Sequence, residues 1–146
     1  MKNKQFAALP FRIEAAQLSI LLITTRRKQR WSVPKGSPIL RKGPHRVAAI
    51  EAYEEAGLRG KIGRQPLGRF KHSKRKGKRK IPCEVKLYPL KVTKQHGRYP
   101  ERGQRKLAWL PAAEAARRVH RAKLRRLIES FASGHAKQRL SSRSIA

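Results

Sequence analysis

The chain has 146 residues, about the size of one domain, and 38 Lys and Arg residues against 8 acidic ones give it a formal net charge of +30. A hydrophobic fraction of 38% excludes wholesale disorder, and a single cysteine excludes an internal disulfide and a cysteine-based zinc site. Such a charge attracts polyanions, but composition alone leaves open whether the partner is a nucleic acid or a small polyphosphate.

The first half of the chain predicts strands followed by one well-defined helix. Residues 11–15 alternate as in a half-buried strand, and residues 18–25 are apolar and β-branched, as in a central strand. A basic turn, a short extended piece at 31–34 and a Gly- and Pro-containing loop follow. A helix is predicted over residues 44–56, because Pro44 suits the first turn of a helix and Gly57 suits its C-terminal cap.

The second half predicts further strands and a terminal helix. Strands are expected at 67–70, 81–92 and 107–110. Residues 69–80 carry eight Lys or Arg in twelve positions, which we interpret as a hairpin with a solvated tip. A helix begins at residues 111–119, and an amphipathic helix at 123–132 is expected to end at Gly134. The pattern predicts one α+β domain at residues 1–134, an α/β/α sandwich around a mixed β-sheet, with residues 135–146 as a flexible tail.

The few acidic residues are concentrated on the predicted central helix. Three of the eight Glu, namely Glu51, Glu54 and Glu55, fall within five residues and share one helix face at i, i+3 and i+4. The opposite side is small and apolar and can pack on the sheet, which predicts outward-facing carboxylates. Three carboxylates repel one another, so either nearby Lys and Arg or a hard divalent cation such as Mg²⁺ or Mn²⁺ should offset their charge.

Residues 36–58, GSPILRKGPHRVAAIEAYEEAGL, resemble the Nudix box, in which a Gly and a cluster of Glu residues have a defined spacing. The matching positions are Gly36, Glu51, Ala52, Glu54, Glu55, Gly57 and Leu58. The flanking residues 31–35 and the segment around Trp109 also resemble the family, so that the resemblance covers about residues 10–132. It implies the Nudix fold, and it is greatest to the branch of diphosphoinositol polyphosphate and diadenosine polyphosphate phosphohydrolases.

Two positions depart from the box. Lys42 stands where the family has its first Glu, and Ile50 stands where the family has an Arg that helps to orient the catalytic Glu. Arg46 cannot replace that Arg, because it lies five residues before Glu51 on nearly the opposite side of the helix. These departures favour weaker metal binding, replacement of a cation by the Lys42 ammonium, or loss of catalysis.

The resemblance implies an enzyme that hydrolyses a pyrophosphate bond with Mg²⁺ or Mn²⁺. It implies metal binding by Glu51, Glu54, Glu55 and the Gly36 carbonyl, with Glu51 and Glu54 also taking part in catalysis. Our candidate for the general base is Glu101, which could equally be an exposed loop residue among arginines. Glu84, on a predicted strand, is the alternative.

A highly anionic small molecule is the expected substrate, since basic side chains can bind several phosphates. The candidate substrate-binding residues are Arg12, Arg27, Arg30, Lys35, Lys42, Lys74 and Arg75. The alternatives are an RNA 5′-end pyrophosphohydrolase and a catalytically silent Nudix domain that binds RNA or protein. Residues 1–10 do not resemble a signal peptide, and the apolar residues 18–23 are too few to span a membrane, so we expect a cytoplasmic location. The sequence does not indicate an oligomeric state.

Overall fold

A computed structural model describes residues 3–145, with side chains described for residues 3–137. Eight strands form one sheet: β1 (Asn3–Glu14), β2 (Gln17–Thr24), β3 (Trp31–Ser32), β4 (Lys35–Gly36), β5 (Leu58–Ile62), β6 (Gly68–Lys76), β7 (Arg79–Gln95) and β8 (Leu107–Pro111). Three helices accompany it: α1 (Pro44–Ala56), α2 (Ala112–Arg118) and α3 (Ala122–Ile145). None of the helices within residues 3–145 is long and apolar enough to cross a membrane.

The sheet is mixed, as predicted. Strands β1 and β7 pair in parallel at its centre, while β2, β4, β5, β6 and β8 pair antiparallel with their neighbours. The main strand order is β3-β2-β1-β7-β5, with β8 beside β2, β6 beside β7 and β4 beside β1. Strands β1 and β2 are buried on both faces, which explains their nearly continuous apolar sequences.

Two hydrophobic clusters lie on opposite faces of the sheet and hold the helices in place. Helix α1 packs on one face through Val47, Ala48, Ala52 and Ala56, against residues such as Leu21. Helices α2 and α3 pack on the other face through residues that include Ala115, Leu124 and Ile128. The architecture is therefore the α/β/α sandwich that the sequence predicted.

Several element boundaries differ from the predictions. Strand β1 begins at Asn3, well before the predicted residue 11, and β5 was not predicted. The predicted end of the terminal helix at Gly134 is wrong, since α3 continues to Ile145. An isolated Gly costs a helix only about 1 kcal/mol relative to Ala, so it need not end one. The limits of the domain and the flexibility of residues 135–146 stay predictions.

Candidate active site

The candidate site begins where β4 passes beneath helix α1. A Cβ atom built on Gly36 would lie 2.2 Å from Oε1 of Glu51, so only a glycine leaves the Glu51 side chain its present position. Helix α1 spans Pro44–Ala56, and Gly57 caps its C-terminus with a left-handed backbone (φ 72°), as predicted. The box thus brings a β-strand backbone into direct contact with one carboxylate of the helix.

Glu55 is buried, which corrects the prediction that the carboxylates of α1 all point outward. It is 4% exposed, because the segment between β7 and β8 covers this end of the helix. Burial first, and then a hydrogen bond with Glu51, raise the pKa of Glu55 to about 9 against the opposing charge of Arg105. Burial and the carboxylates of Glu54 and Glu101 also raise the pKa of Glu51. In the free protein at neutral pH, the Glu51–Glu55 pair therefore holds a proton.

The segment between β7 and β8 brings Glu101 to the helix. Its backbone N–H donates to the carbonyl oxygen of Glu54 across 2.9 Å. Arg105, four residues later, places Nη2 3.4 Å from Oε1 of Glu55 and 3.6 Å from Oε1 of Glu101. We call Glu51, Glu54, Glu55 and Glu101 the acidic cluster. Glu84, the other candidate base, lies apart from it on β7, where it pairs with Arg69.

The acidic cluster fits a divalent cation that is shared with a substrate. Among the described residues, no three carboxylate, imidazole or thiol groups converge so as to hold a metal ion by themselves. Mg²⁺, however, is commonly bound by one or two carboxylates together with water and substrate phosphates. Glu51 and Glu55 provide such a pair, and the buried Oε1 of Glu101 has no hydrogen-bond partner. The two carboxyl groups thus face each other, with the Gly36 backbone against Glu51 and the charge of Glu54 nearby.

A basic cleft of about 470 Å³ adjoins strand β4 at Lys35. Its cationic lining residues come from the β2–β3 turn, β4, the β6–β7 hairpin and the position just before α3: Arg27, Lys28, Arg30, Lys35, Lys74, Arg75, Lys80 and Arg121. Lys35 lines this cleft, and its charge interacts with that of Glu55. Burial lowers its pKa, an effect that Glu55 opposes and that Arg105 and Arg121 reinforce. Strand β4 therefore has an ammonium in the cleft at Lys35 and the Glu51 contact at Gly36.

The structure brings most, but not all, of the predicted substrate-binding residues together. Arg27, Arg30, Lys35, Lys74 and Arg75 all line the basic cleft. Two others lie outside this lining, namely Arg12 and Lys42. The Arg12 guanidinium stacks 4.0 Å from the centre of the Trp109 ring and pairs with Glu14. Lys42 is exposed, in a turn closed by a hydrogen bond from its N–H to the Ile39 carbonyl.

Several residues of this region were not predicted as site residues. Arg121 and His72 line the cleft, and Arg105 contacts the acidic cluster. His72 is half-buried on β6, with Nε2 2.5 Å from Oε1 of Gln5. Arg105 had only a weak signal in the sequence, namely its position four residues after the candidate base Glu101. With 38 Lys and Arg in the chain, no single one stands out.

Comparison with known proteins agrees with this architecture. No protein-family model matches the chain. Over 74 residues it is 40% identical to the rat (Rattus norvegicus) diphosphoinositol polyphosphate phosphohydrolase 2, a match that covers 51% of this chain and 41% of the relative. The chain thus spans less than half the length of the curated relatives that it matches.

Solved structures show the same fold at low sequence identity. The Ap4A hydrolase of C. elegans in a binary complex aligns with a TM-score of 0.69 and 17% identity, over 92% of this chain and 98% of that one. The NUDIX domain of Shewanella oneidensis NrtR, in complex with ADP ribose, aligns with a TM-score of 0.66 and 16% identity, over 96% and 89%. The architecture is therefore the Nudix fold. The sequence match to the phosphohydrolase, which covers half of this chain, agrees with that fold.

Proposed function

We propose that this protein is a divalent-metal-dependent hydrolase of a pyrophosphate bond in a highly anionic small molecule. The observation that carries the proposal is that neighbouring residues of β4 reach both sites: Lys35 lines the basic cleft and interacts with the charge of Glu55, and the Gly36 backbone lies against Glu51. The relatives and structural neighbours named above include a diphosphoinositol polyphosphate phosphohydrolase and an Ap4A hydrolase. A diphosphoinositol polyphosphate or a diadenosine polyphosphate is therefore the proposed substrate class.

Each part of the site has a task in such a reaction. A divalent cation held by Glu51 and Glu55, with Glu54 and the Gly36 carbonyl beside them, would neutralise the pyrophosphate and activate water for attack on phosphorus. Glu101 is the proposed general base, because its Oε1 is buried in the acidic cluster and accepts no hydrogen bond.

The basic cleft supplies the charge that a polyphosphate requires. Arg27, Arg30, Lys74 and Arg75 line its walls, and guanidinium and ammonium groups form strong, charge-assisted contacts with phosphate oxygens. The half-buried side chain of Lys35 interacts with the charge of Glu55 and can stabilise charge that develops on the leaving phosphate. A cytoplasmic location stays a prediction.

RNA is the second candidate substrate, and the β6–β7 hairpin favours it. Residues 69–80 form an extended basic arm in which β6 and β7 pair from Gly68–Leu87 to Lys76–Arg79. Such an arm can contact a phosphate backbone next to a 5′-end in the cleft. A catalytically silent Nudix domain is the further alternative, favoured by Lys42 and Ile50.

The test is hydrolysis of a substrate panel with Mg²⁺ or Mn²⁺ by the parent chain and by Glu55→Gln. The panel contains a diphosphoinositol polyphosphate, a diadenosine polyphosphate, a dinucleotide and 5′-triphosphorylated RNA, and phosphate-bearing products are followed. We expect cleavage of an inositol or diadenosine compound, and a loss of roughly 100-fold or more in Glu55→Gln, because several kcal/mol of charge stabilisation disappear.

The Glu55→Gln variant is expected to keep the fold, so that a loss of turnover reports on the site. Burial and the hydrogen bond with Glu51 raise the pKa of Glu55 and so favour its neutral form in the free protein, which a neutral Gln replaces with little structural change. Undiminished turnover in this variant would contradict the site assignment. Preferential cleavage of the RNA would select the second candidate. No cleavage by well-folded parent protein would favour the silent binding domain.

A further inference from the structure

Arg105 occupies a position between two parts of the chain that the proposed reaction needs together. Its side chain is 13% exposed. Nη2 lies 3.4 Å from a carboxylate oxygen of Glu55 on α1 and 3.6 Å from one of Glu101 in the segment before β8. Nη1 donates to the carbonyl oxygen of Thr24 across 3.2 Å. One planar guanidinium thus joins the helix, the β7–β8 segment and the end of β2.

The residues around Arg105 hold its backbone in place. Thr24 N–H donates to the carbonyl of Lys106, and Lys106 N–H donates to Oγ1 of Thr24 across 2.9 Å. On the other side, the amide of Glu101 donates to the carbonyl of Glu54. The guanidinium is therefore supported from a rigid strand, which is the condition for a side chain to orient its neighbours.

The sequence explains why such a residue is needed. The Nudix box has an Arg at the position of Ile50, where it helps to orient the catalytic Glu, and this chain has no cation there. Arg105 is the cation that contacts Glu55 in the structure, and it reaches the helix from 50 residues further along the chain.

We propose that Arg105 is the positioning residue of the acidic cluster and takes over the orienting task of the arginine that Ile50 replaces. It fixes Glu55 and Glu101 relative to each other, so that a cation-binding carboxylate and the proposed base keep one geometry. This inference rests on the proposed function for its catalytic meaning. The Arg105 clamp, by which we mean the contacts through which Arg105 connects α1 to the β7–β8 segment, can be tested without measuring turnover.

Charge and geometry predict opposite effects on metal binding, which makes the inference testable. If Arg105 were only a neighbouring positive charge, its removal would strengthen Mn²⁺ binding to the carboxylates. If Arg105 orients the carboxylates, its removal weakens Mn²⁺ binding even though a repulsive charge has gone. Removal of groups that orient metal ligands typically weakens metal affinity about 10–100-fold.

The experiment compares Arg105→Met and Arg105→Lys with the control Arg102→Met, which removes an equal charge from an exposed residue of the same segment. Mn²⁺ affinity is measured without substrate by electron paramagnetic resonance, and amide hydrogen exchange is followed at Glu101. We expect Arg105→Met to bind Mn²⁺ roughly tenfold or more weakly. The Glu101 amide should exchange correspondingly faster, because its bond to Glu54 opens more often. Arg102→Met should change neither quantity.

Arg105→Lys keeps the proposal testable if the Met variant does not fold. Lysine retains the charge but lacks the planar guanidinium group, so it cannot contact Thr24, Glu55 and Glu101 in the same geometry. We expect this variant to fold and still to lose Mn²⁺ affinity and protection of the Glu101 amide. Parent-like values of both quantities in either Arg105 variant would overturn the proposal. Absence of turnover in the parent chain would contradict the proposed function alone, because the exchange measurement would still report the clamp.

Discussion

Gly36 illustrates how one missing side chain positions a functional group. Its backbone needs no unusual conformation, yet a Cβ there would lie within 2.7 Å of three atoms of the Glu51 side chain. Those atoms belong to a flexible side chain that can move aside. An added methyl group would therefore displace the carboxylate while leaving the strand and the helix intact.

We expect Gly36→Ala to reduce Mn²⁺ affinity and turnover by roughly tenfold or more, as is typical when a metal ligand loses its orientation. The melting temperature should change little. The control is Gly43→Ala, whose new Cβ would have only ordinary contacts with His45, at 3.4 Å or more. A Gly36→Ala variant with parent-like Mn²⁺ affinity would show that the contact between β4 and Glu51 does not matter for binding.

His72 makes the stability of the fold depend on pH. Burial first, and then the charges of Lys35 and Arg121, lower its pKa from 6.5 to about 4. Between these two values the unfolded chain binds a proton that the folded chain does not. The unfolded state is therefore favoured progressively as the pH falls through this range, and the effect is complete below about pH 4.

We expect His72→Gln to lose less free energy of unfolding than the parent chain between pH 7 and pH 4.5, because its side chain cannot take up a proton. Urea unfolding at the two pH values measures this difference, and the control is His45→Gln, at the start of α1. Equal pH dependence in His72→Gln and the parent chain would contradict the lowered pKa of His72. So would an NMR titration in which the His72 imidazole of the parent chain titrates near pH 6.5.

At the scale of elements, the β6–β7 hairpin forms one wall of the basic cleft. Its strands pair without interruption, and Lys74 donates a hydrogen bond to Oγ of Ser37 across 3.2 Å. The hairpin is thus fastened to the loop that follows β4. It was predicted from its charge and turn, whereas its contact with the Nudix box was not, because 37 residues separate the two partners.

We expect the double variant Lys74→Ala, Arg75→Ala to bind a polyphosphate substrate more weakly, with an increase in KM and a smaller change in kcat. Charged hydrogen bonds contribute about 1.5–3 kcal/mol each, so KM should rise roughly tenfold or more for each phosphate group that is left without its basic partner. The control Lys61→Ala, Arg64→Ala removes the same charge from positions outside the cleft. Equal effects of the two double variants would mean that only net charge matters.

Helix α1 was predicted with its observed bounds, because its signals are local. Pro44 fits the first turn, and Gly57 adopts the left-handed conformation that ends a helix. Strand β5 was missed because Arg59, Gly60 and Lys61 are exposed and carry no apolar alternation. It forms at the sheet edge by pairing with β7, which is a long-range contact.

For the whole molecule, a net charge of +30 on one small domain means strong self-repulsion. Repulsion between exposed charges is screened by salt, whose Debye length falls from roughly 30 Å at 0.01 M to roughly 8 Å at 0.15 M. The unfolded chain places the same charges further apart, so screening helps the folded state more. The fold should therefore be more stable at physiological ionic strength than in dilute buffer.

We expect the melting temperature to rise with NaCl over this range, by about 2–4 °C for each kcal/mol gained. A pyrophosphate or inositol polyphosphate at equal ionic strength should raise it further, because a ligand that binds only the folded state adds its own stabilisation. Differential scanning calorimetry measures both effects. A melting temperature that falls with NaCl would show that favourable ion pairs outweigh the self-repulsion.

The sequence by itself determined the central helix, the placement of Glu51, Glu54 and Glu55 along it, the resemblance to the Nudix box and the attraction to polyanions. These features depend on helix periodicity, caps and total charge, which act between near neighbours or over the whole chain. Only the tertiary structure decided that Glu55 is buried, that Arg105 lies between Glu55 and Glu101, and that one cleft collects the basic residues of four elements. The physical reason is that burial and ion pairing depend on which distant segments meet, and local periodicity carries no information about that.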